Sequence, residues 1–562
     1  MVKKAAKVIL SLLVVSSSFG ADYTSAQTRK RASSQQVVAK GAVGNKANEL
    51  LTRYAMYGLS GTVLIVQNDQ IVFQRAFGLA DIERKRPNTL NTVYDAGSIA
   101  KTFTATAILQ LESAGKLKTG DAISKYLGEF PSDKATITIH HLLSHTAGLK
   151  LDPQDVGINP ITAPDDFLKK VKEAPLLSPP GEKYSYSNLG YGLLAIIIEK
   201  VSGENWHAYV RKNILKPAGL SQTMLYGDTS EKLAHGYLGN DDEDLQLEEP
   251  LRLARPDSYV WRKYAIGAGG IFSTTGDLYK WWRALHSRKV LSDEARRKMF
   301  SLQATEQGYG WNIQNRPGGV ERTYRGGLRG SFQSMLGYYP KQNTLLIYAL
   351  NKNVANAQWA SVLWTNLEKL ITGKPHVVPP AILTANPANM DRYAGNYVLP
   401  SGDGFTIWRE KNSLMIGAIG QSAVNLVAYP EQVPPSFQNE VGDLGKEVIA
   451  ALIKGDSSKL TSGLLTEKDA SALRTKWESW MNAIGGLRSY QLLGVSPGSG
   501  GNPRAFIKLN GEKSSLVVRL LFNWSEKRLI AWGDNITMPA IAKLRPQSDT
   551  SFVNFDFQTS RT

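Results

Sequence analysis

The runs GTVLIVQ (residues 61–67) and QIVFQRAF (70–77) are rich in β-branched and aromatic residues, and only Asn68 and Asp69 separate them. Such a pair of runs with an Asn/Asp turn reads as a β-hairpin. A second hairpin is written much later, where residues 336–339 and 345–350 flank PKQNT. Between the two the pattern is helical. From Ser98 to Ala114, Phe103, Ala107, Ile108 and Leu111 recur on one helical stripe, and Gly115 stands where a helix C-cap belongs. Residues 357–371 read as another helix, closed by Gly373. A lone hairpin is at best marginally stable in water. Strands at both ends of a helical middle are therefore expected to meet in one antiparallel sheet beside a helical subdomain, an α+β arrangement.

A composition break follows. GKPHVVPPAILTANPANM (373–390) is proline-rich and reads as a linker over 374–390. Residues 391–435 alternate and turn like a small β unit. Residues 436–562 then place helical runs (EVIAALIKG, EKDASALRTKWESWMNAIGG) before strand-like ones (LRSYQLLGV, RAFIKL, SLVVRLLFNW, KRLIAWG), an α+β module. In element order it resembles a cystatin-like or NTF2-like module. SPGSGGN (496–502) is glycine-rich but lacks the lysine of a phosphate loop, so it reads as a hairpin loop.

The N-terminus has the plan of a secretory signal peptide. Lys3, Lys4 and Lys7 precede a short apolar run, Val8 to Val15, and small residues offer cleavage after Gly20, Ala21 or Ala26. Residues 1–26 are expected to be that peptide, and 27–45 a flexible segment, giving an exported, periplasmic or secreted, soluble protein. An uncleaved anchor is the alternative, although the run is short for a bilayer. The chain has no cysteine, which removes disulfides, thiolate metal sites and lipid attachment at cysteine. The net charge of +17 would suit nucleic acid, but the basic residues are scattered and no recognition motif accompanies them. A solvated basic surface is the expected meaning.

Within GSIAKTF (97–103), Ser98 and Lys101 stand three residues apart. On a helix they share a face, so a hydroxyl lies beside an amine. At a helix N-terminus the serine N–H can help bind an oxyanion, and a lysine with a burial-lowered pKa can accept the hydroxyl proton. An ordinary serine N-cap beside a surface lysine has the same spacing. A second copy, Ser113 to Lys116, carries no such meaning.

The surroundings separate these readings. The stretch from FGLADIERKRPNTLNTVYDAGSIAKTF onward resembles the serine β-lactamase-related family, which includes class C β-lactamases, D-Ala-D-Ala carboxypeptidases, D-aminopeptidases and esterases. ITIHHLLSHTAGL (137–149), PGEKYSYSNLGYGLLAIIIEKVSG (180–203), GAGGIFSTTGDLYKWWRAL (267–285), GYGW (308–311) and YRGGLRGSFQSMLGYYP (324–340) continue the likeness over residues 46–373. The resemblance implies a β-lactamase/transpeptidase-like domain there. It makes Tyr186 the proton shuttle for Ser98, with Asn188 holding Lys101 or the substrate. In the family's third element, Tyr324 takes the place of the usual lysine or histidine. Gly326 would allow close approach of the substrate, and the N–H of Gly327 would join that of Ser98 in an oxyanion hole. Arg325 and Arg329 could restore a cation, although strand alternation turns Arg325 away from the face of Tyr324.

His141 and His145 have helical i, i+4 spacing beside His140, but nothing like H-E-x-x-H accompanies them, so no metal or other cofactor is expected. Trp281, Trp282, Trp359 and Trp364 read as core. The expected activity is that of a serine hydrolase cleaving small esters or D-amino-acid peptides, peptidoglycan-derived ones among them, through an acyl-enzyme on Ser98. A D-Ala-D-Ala carboxypeptidase, penicillin-binding protein or β-lactamase is the first alternative. A catalytically weak protein that binds cell-wall fragments is the second, and Tyr324 is its motive.

Overall fold

The computed structural model describes residues 37–152, 155, 164–239, 246–248, 266–354, 359–382, 390–410, 413–428, 435–497, 502–536, 540–547 and 552–553. The expected targeting segment lies outside them. Among the described residues no helix is long and apolar enough to cross a membrane. Two compact units form, one within residues 27–379 and one within 380–556.

In the first unit, the hairpin of β2 (Gly61–Gln67) and β3 (Gln70–Phe77) turns through Asn68 and Asp69, with φ of +51° and +60°. Both residue types tolerate that left-handed region, which sets the twist a two-residue hairpin needs. The later hairpin is β6 (Phe332–Tyr339) and β7 (Thr344–Leu350). The two hairpins meet as expected, β7 pairing antiparallel with β2 from Thr344↔Gln67 to Leu350↔Gly61. With β1 (Val38–Ala39), β4 (Asn312–Arg316) and β5 (Gly319–Arg329), the sheet order is β1-β3-β2-β7-β6-β5-β4. The expected flexible segment 27–45 is corrected here. Val38 pairs with Gln74, and helix α1 (Gly41–Met56) is already under way, burying Ala47, Leu50, Leu51 and Tyr54.

Helix α2 (Ala100–Ser113) follows a 3-10 turn at Gly97–Ile99. The expected apolar stripe is replaced by burial on every side, from Ala100 through Leu109 and at Leu111. Its threonines survive there because each hydroxyl is paired. Thr102 Oγ1 donates to the Ile99 carbonyl, Thr104 Oγ1 to Gly267 and Thr106 Oγ1 to Thr102. Trp281, from α4 (Thr275–Leu285), stacks on Phe103 at 4.1 Å, and its indole N–H donates to Thr102 Oγ1. The remaining helices used below are α3 (Asn188–Ser202) and α5 (Trp359–Ile371).

In the second unit, the expected split at residue 435 is corrected. The sheet begun by Gly395–Val398, Gly404–Glu410 and Ser413–Ile419 is continued by Ala540–Pro546 and Phe552–Val553, so the end of the chain completes the small β unit. Between these parts lies a four-stranded antiparallel meander, Leu487–Pro497, Pro503–Gly511, Ser515–Asn523 and Arg528–Ile536. Helices Pro435–Lys454 and Glu467–Ile484 pack on it through Val448, Ile449, Leu473 and Trp480. Residues 498–501 of the loop read at 496–502 lie outside the described residues, and the strands on either side pair as far as Pro497↔Pro503.

Candidate active site

Gly97 opens the turn that carries Ser98, with φ +51°. Its N–H donates to Asp95 Oδ1 at 2.7 Å, and Arg329 Nη1 lies 3.4 Å from Asp95 Oδ2. The expected free cation at Arg329 is thus tied to the turn that presents Ser98. Ser98 is partly exposed, while Lys101, one helical turn on, is fully buried.

Lys101 Nζ donates to Ser98 Oγ at 3.1 Å, to Asn188 Oδ1 at 2.6 Å and to the Ala268 carbonyl at 3.0 Å. Asn188, the first residue of α3, donates its amide N–H to Asp152 Oδ1. Both ends of that amide are occupied, so Asn188 holds Lys101. Tyr186 Oη lies 2.7 Å from Ser98 Oγ. Ser98, Lys101, Tyr186 and Asn188 therefore meet as one connected group.

The third element is arranged differently from expectation. Arg325 is buried on β5 and reaches the serine side of the sheet. Its Nη2 donates to Tyr186 Oη at 2.6 Å and its Nε to the Ser98 carbonyl at 3.1 Å. Tyr324 lies instead against Arg322, 4.7 Å from ring centre to guanidinium, and against Trp364 of α5. Alternation along a strand puts neighbouring side chains on opposite faces. The position expected for Tyr324 is occupied by the guanidinium of Arg325. The close approach is likewise one residue later than expected. A Cβ at Gly326 would come no nearer than 3.2 Å to Met335 Cε, whereas one at Gly327 would lie 2.1 Å from the Ala96 carbonyl oxygen. The strand backbone beside the Ser98 turn is the Gly327–Leu328 peptide, since a Cβ on Gly97 would lie 3.0 Å from Leu328 N.

Burial lowers the Lys101 pKa to about 8, against the opposing pull of Tyr186 and with help from Arg325. Burial alone would raise Tyr186, but the positive charges of Arg325 and Lys101 outweigh it and hold the phenol at about 8. Two neighbouring groups with similar pKa values titrate as a pair, and the pair can take a proton from Ser98 Oγ once it has lost one of its own, from about pH 8 upward.

The histidines part company. The helix Ile139–Leu143 ends before His145, whose φ is +59°, so the i, i+4 spacing places no shared face. His140 Nδ1 meets Tyr309 Oη, and His141 Nδ1 accepts from the Thr138 N–H. His145 is buried under the Tyr186 ring at 4.4 Å. Its Nδ1 accepts from the Ser187 N–H and its carbonyl from the Ser185 N–H. Burial holds its pKa well below the ordinary value, so it is neutral. Sequence reasoning missed this platform and the partners Asp152 and Ala268. The HTAGL block holds His145 and the GAGG block holds Ala268, while nothing local marks Asp152.

A serine-bearing turn at the start of a buried helix, beside an antiparallel sheet whose inner strand carries a buried arginine and a close-approach glycine, is the arrangement of a serine hydrolase of the β-lactamase/transpeptidase-like fold. The chain belongs to the Beta-lactamase family, whose model matches residues 44–369. It is similar to penicillin-binding protein 4* of Bacillus subtilis, 29% identical over 419 residues, which span 69% of this chain and 91% of that protein. Among solved structures it resembles the octameric penicillin-binding protein homologue from Pyrococcus abyssi, with TM-score 0.51 and 20% identity over 86% of this chain and 96% of that one. It also resembles EstCE1, a hydrolase with promiscuous acyltransferase activity, with TM-score 0.51 and 19% identity over 59% and 98%.

Proposed function

We propose that this serine hydrolase is exported and cleaves small esters and D-amino-acid peptides through an acyl-enzyme on Ser98. The observation that carries the reading is the contact of Ser98 Oγ with both Tyr186 Oη and Lys101 Nζ. In the proposed sequence, the Tyr186–Lys101 pair removes the Ser98 proton and Oγ attacks the substrate carbonyl carbon. The oxyanion is received by the N–H of Ser98 and by that of Leu328, which replaces the Gly327 donor first expected. Tyr186 returns the proton to the leaving alcohol or amine, and water then releases the acyl group by the reverse path. Asn188 positions Lys101, and Arg325 stabilises the phenolate form of Tyr186. Acyl transfer is the chemistry that the name of EstCE1, a hydrolase with promiscuous acyltransferase activity, describes for that protein. The name of the Bacillus relative keeps a penicillin-binding or D-Ala-D-Ala carboxypeptidase reading as second. The binding-protein reading loses its motive, because a cation does stand beside Tyr186.

The test is intact-protein mass spectrometry after treatment with a fluorophosphonate, with Ser98→Ala alongside. One adduct on the native protein and none on the variant is expected. An unlabelled native protein, or an adduct that survives in Ser98→Ala, would overturn the assignment. Benzylpenicillin as a second probe separates the readings: a long-lived adduct favours the penicillin-binding one, and rapid p-nitrophenyl ester turnover without that adduct favours the esterase.

A further inference from the structure

The site built on Ser98 leaves unused a second cluster of the first unit. Asp81 stands at the end of the strand Leu79–Asp81, Glu83 in the turn that follows, and His235 just ahead of the strand Gly236–Gly239. Their ligand atoms all lie within 4.8 Å of one another. His235 Nδ1 is 3.7 Å from Asp81 Oδ2 and 3.8 Å from Glu83 Oε2. These separations are too long for hydrogen bonds. They are close to the spacing of two atoms bound to one Zn²⁺, which for bonds of about 2.0–2.1 Å in a tetrahedron is roughly 3.4 Å.

A second observation points to a cation. Asp81 is 1% exposed, and its Oδ2 is buried without a hydrogen-bond partner, as is His235 Nδ1. A buried carboxylate oxygen and a buried imidazole nitrogen that face each other without hydrogen bonds are both costly, and a shared cation would satisfy both. The exposed Arg84 side chain brings its Nε only to 3.9 Å from Asp81 Oδ2, beyond hydrogen-bond reach. The frame around them is already set. Asp81 Oδ1 accepts from the Arg84 N–H. The His235 N–H donates to the Ala80 carbonyl, and its own carbonyl accepts from Asn351 Nδ2. The buried Tyr237 hydroxyl donates to Glu83 Oε2 at 2.6 Å, the kind of outer partner that orients a metal-binding carboxylate.

We propose that Asp81, Glu83 and His235 form a site for a divalent transition-metal ion, with Zn²⁺ the best match to one imidazole and two carboxylates. The ion would clip the turn after Asp81 to the strand that begins at Gly236. Water would complete its coordination. The assignment does not depend on the Ser98 chemistry.

The test uses the full chain, stripped with a chelator and titrated with Zn²⁺ by calorimetry, with Mg²⁺ as a comparator. One equivalent of Zn²⁺ is expected, with a rise in Tm on loading. Affinity should fall on the order of 100-fold or more in His235→Gln and Asp81→Asn. Because Asp81 is buried, the half-exposed Glu83→Gln provides a variant whose fold is under less threat, and its circular dichroism should match the native protein. A native chain that takes up no Zn²⁺, prefers Mg²⁺, or keeps its full affinity in His235→Gln and Glu83→Gln would overturn the proposal.

Discussion

Arg325 donates a 2.6 Å hydrogen bond to the Tyr186 hydroxyl that also touches Ser98. One buried guanidinium thus lowers the pKa of both groups in contact with Ser98 Oγ, Tyr186 by stabilising its anion and Lys101 by like-charge repulsion.

Removing that charge has a defined sign. In Arg325→Met both pKa values rise, so the ascending limb of the kcat/KM profile, expected near pH 8, should move to higher pH. Activity at pH 7 should fall by about 10²–10³. Arg325→Lys should keep the limb nearer its native position. A pH–rate profile of the three proteins checks this, and an unmoved limb in Arg325→Met would refute it.

Lys101 sets activity against stability. Its pKa is about 8 folded and 10.5 unfolded, and Tyr186 moves from 10.0 unfolded to about 8. Between those limits the unfolded chain holds more protons than the folded one, so stability rises with pH from about 8 to 10. Below pH 8 the buried ammonium is a cost. Lys101→Met should lower turnover by about 10²–10⁴, raise Tm at pH 7, and flatten the rise in stability above pH 8. Denaturant melts at several pH values measure this.

Gly327→Ala should be a severe substitution in a place that looks permissive. The added carbon would sit 2.1 Å from the Ala96 carbonyl and 2.6 Å from Ser334 Oγ, which itself donates to that carbonyl. The turn bearing Ser98 must move. A loss of about 1–3 kcal/mol is expected together with loss of fluorophosphonate labelling. Gly326→Ala should be far milder in the same assay.

His145 packs against the Tyr186 ring at 4.4 Å and is expected to act by positioning it. His145→Leu removes the acceptor for the Ser187 N–H and strains a backbone at φ +59°, so kcat should fall with little change in KM. His145→Asn tolerates that φ and can accept the same bond, and should recover part of kcat. Equal losses in both variants would assign His145 a packing role alone.

Trp281→Ala opens a cavity against Phe103 and leaves the Thr102 hydroxyl without its indole donor. A loss of about 3–5 kcal/mol is expected, read as a lower midpoint in urea.

Much of this was legible because it is local. The turn residues Asn68 and Asp69 specify a hairpin whatever surrounds them, and the i, i+3 spacing puts Ser98 and Lys101 on one face of any helix. Two readings failed for a common reason. Ser98 to Ala114 was read as a one-sided stripe, and Tyr324 as the residue facing the serine. Each depends on what packs against the element from distant parts of the chain. The pairing of Ser413–Ile419 with Ala540–Pro546 is another long-range event with no local signal.

By itself the sequence determined the hairpins, the central helix and the serine–lysine spacing, because turn chemistry and helical periodicity act over a few residues. Only the tertiary structure decided that Arg325 rather than Tyr324 stands beside Tyr186, that Gly327 is the close-approach glycine, and that His145 lies beneath Tyr186. On a strand, a shift of one residue exchanges the two faces. Which face meets Ser98 is settled by the packing of β5 against the turn that carries it, and by the burial that this packing imposes on the charges around it.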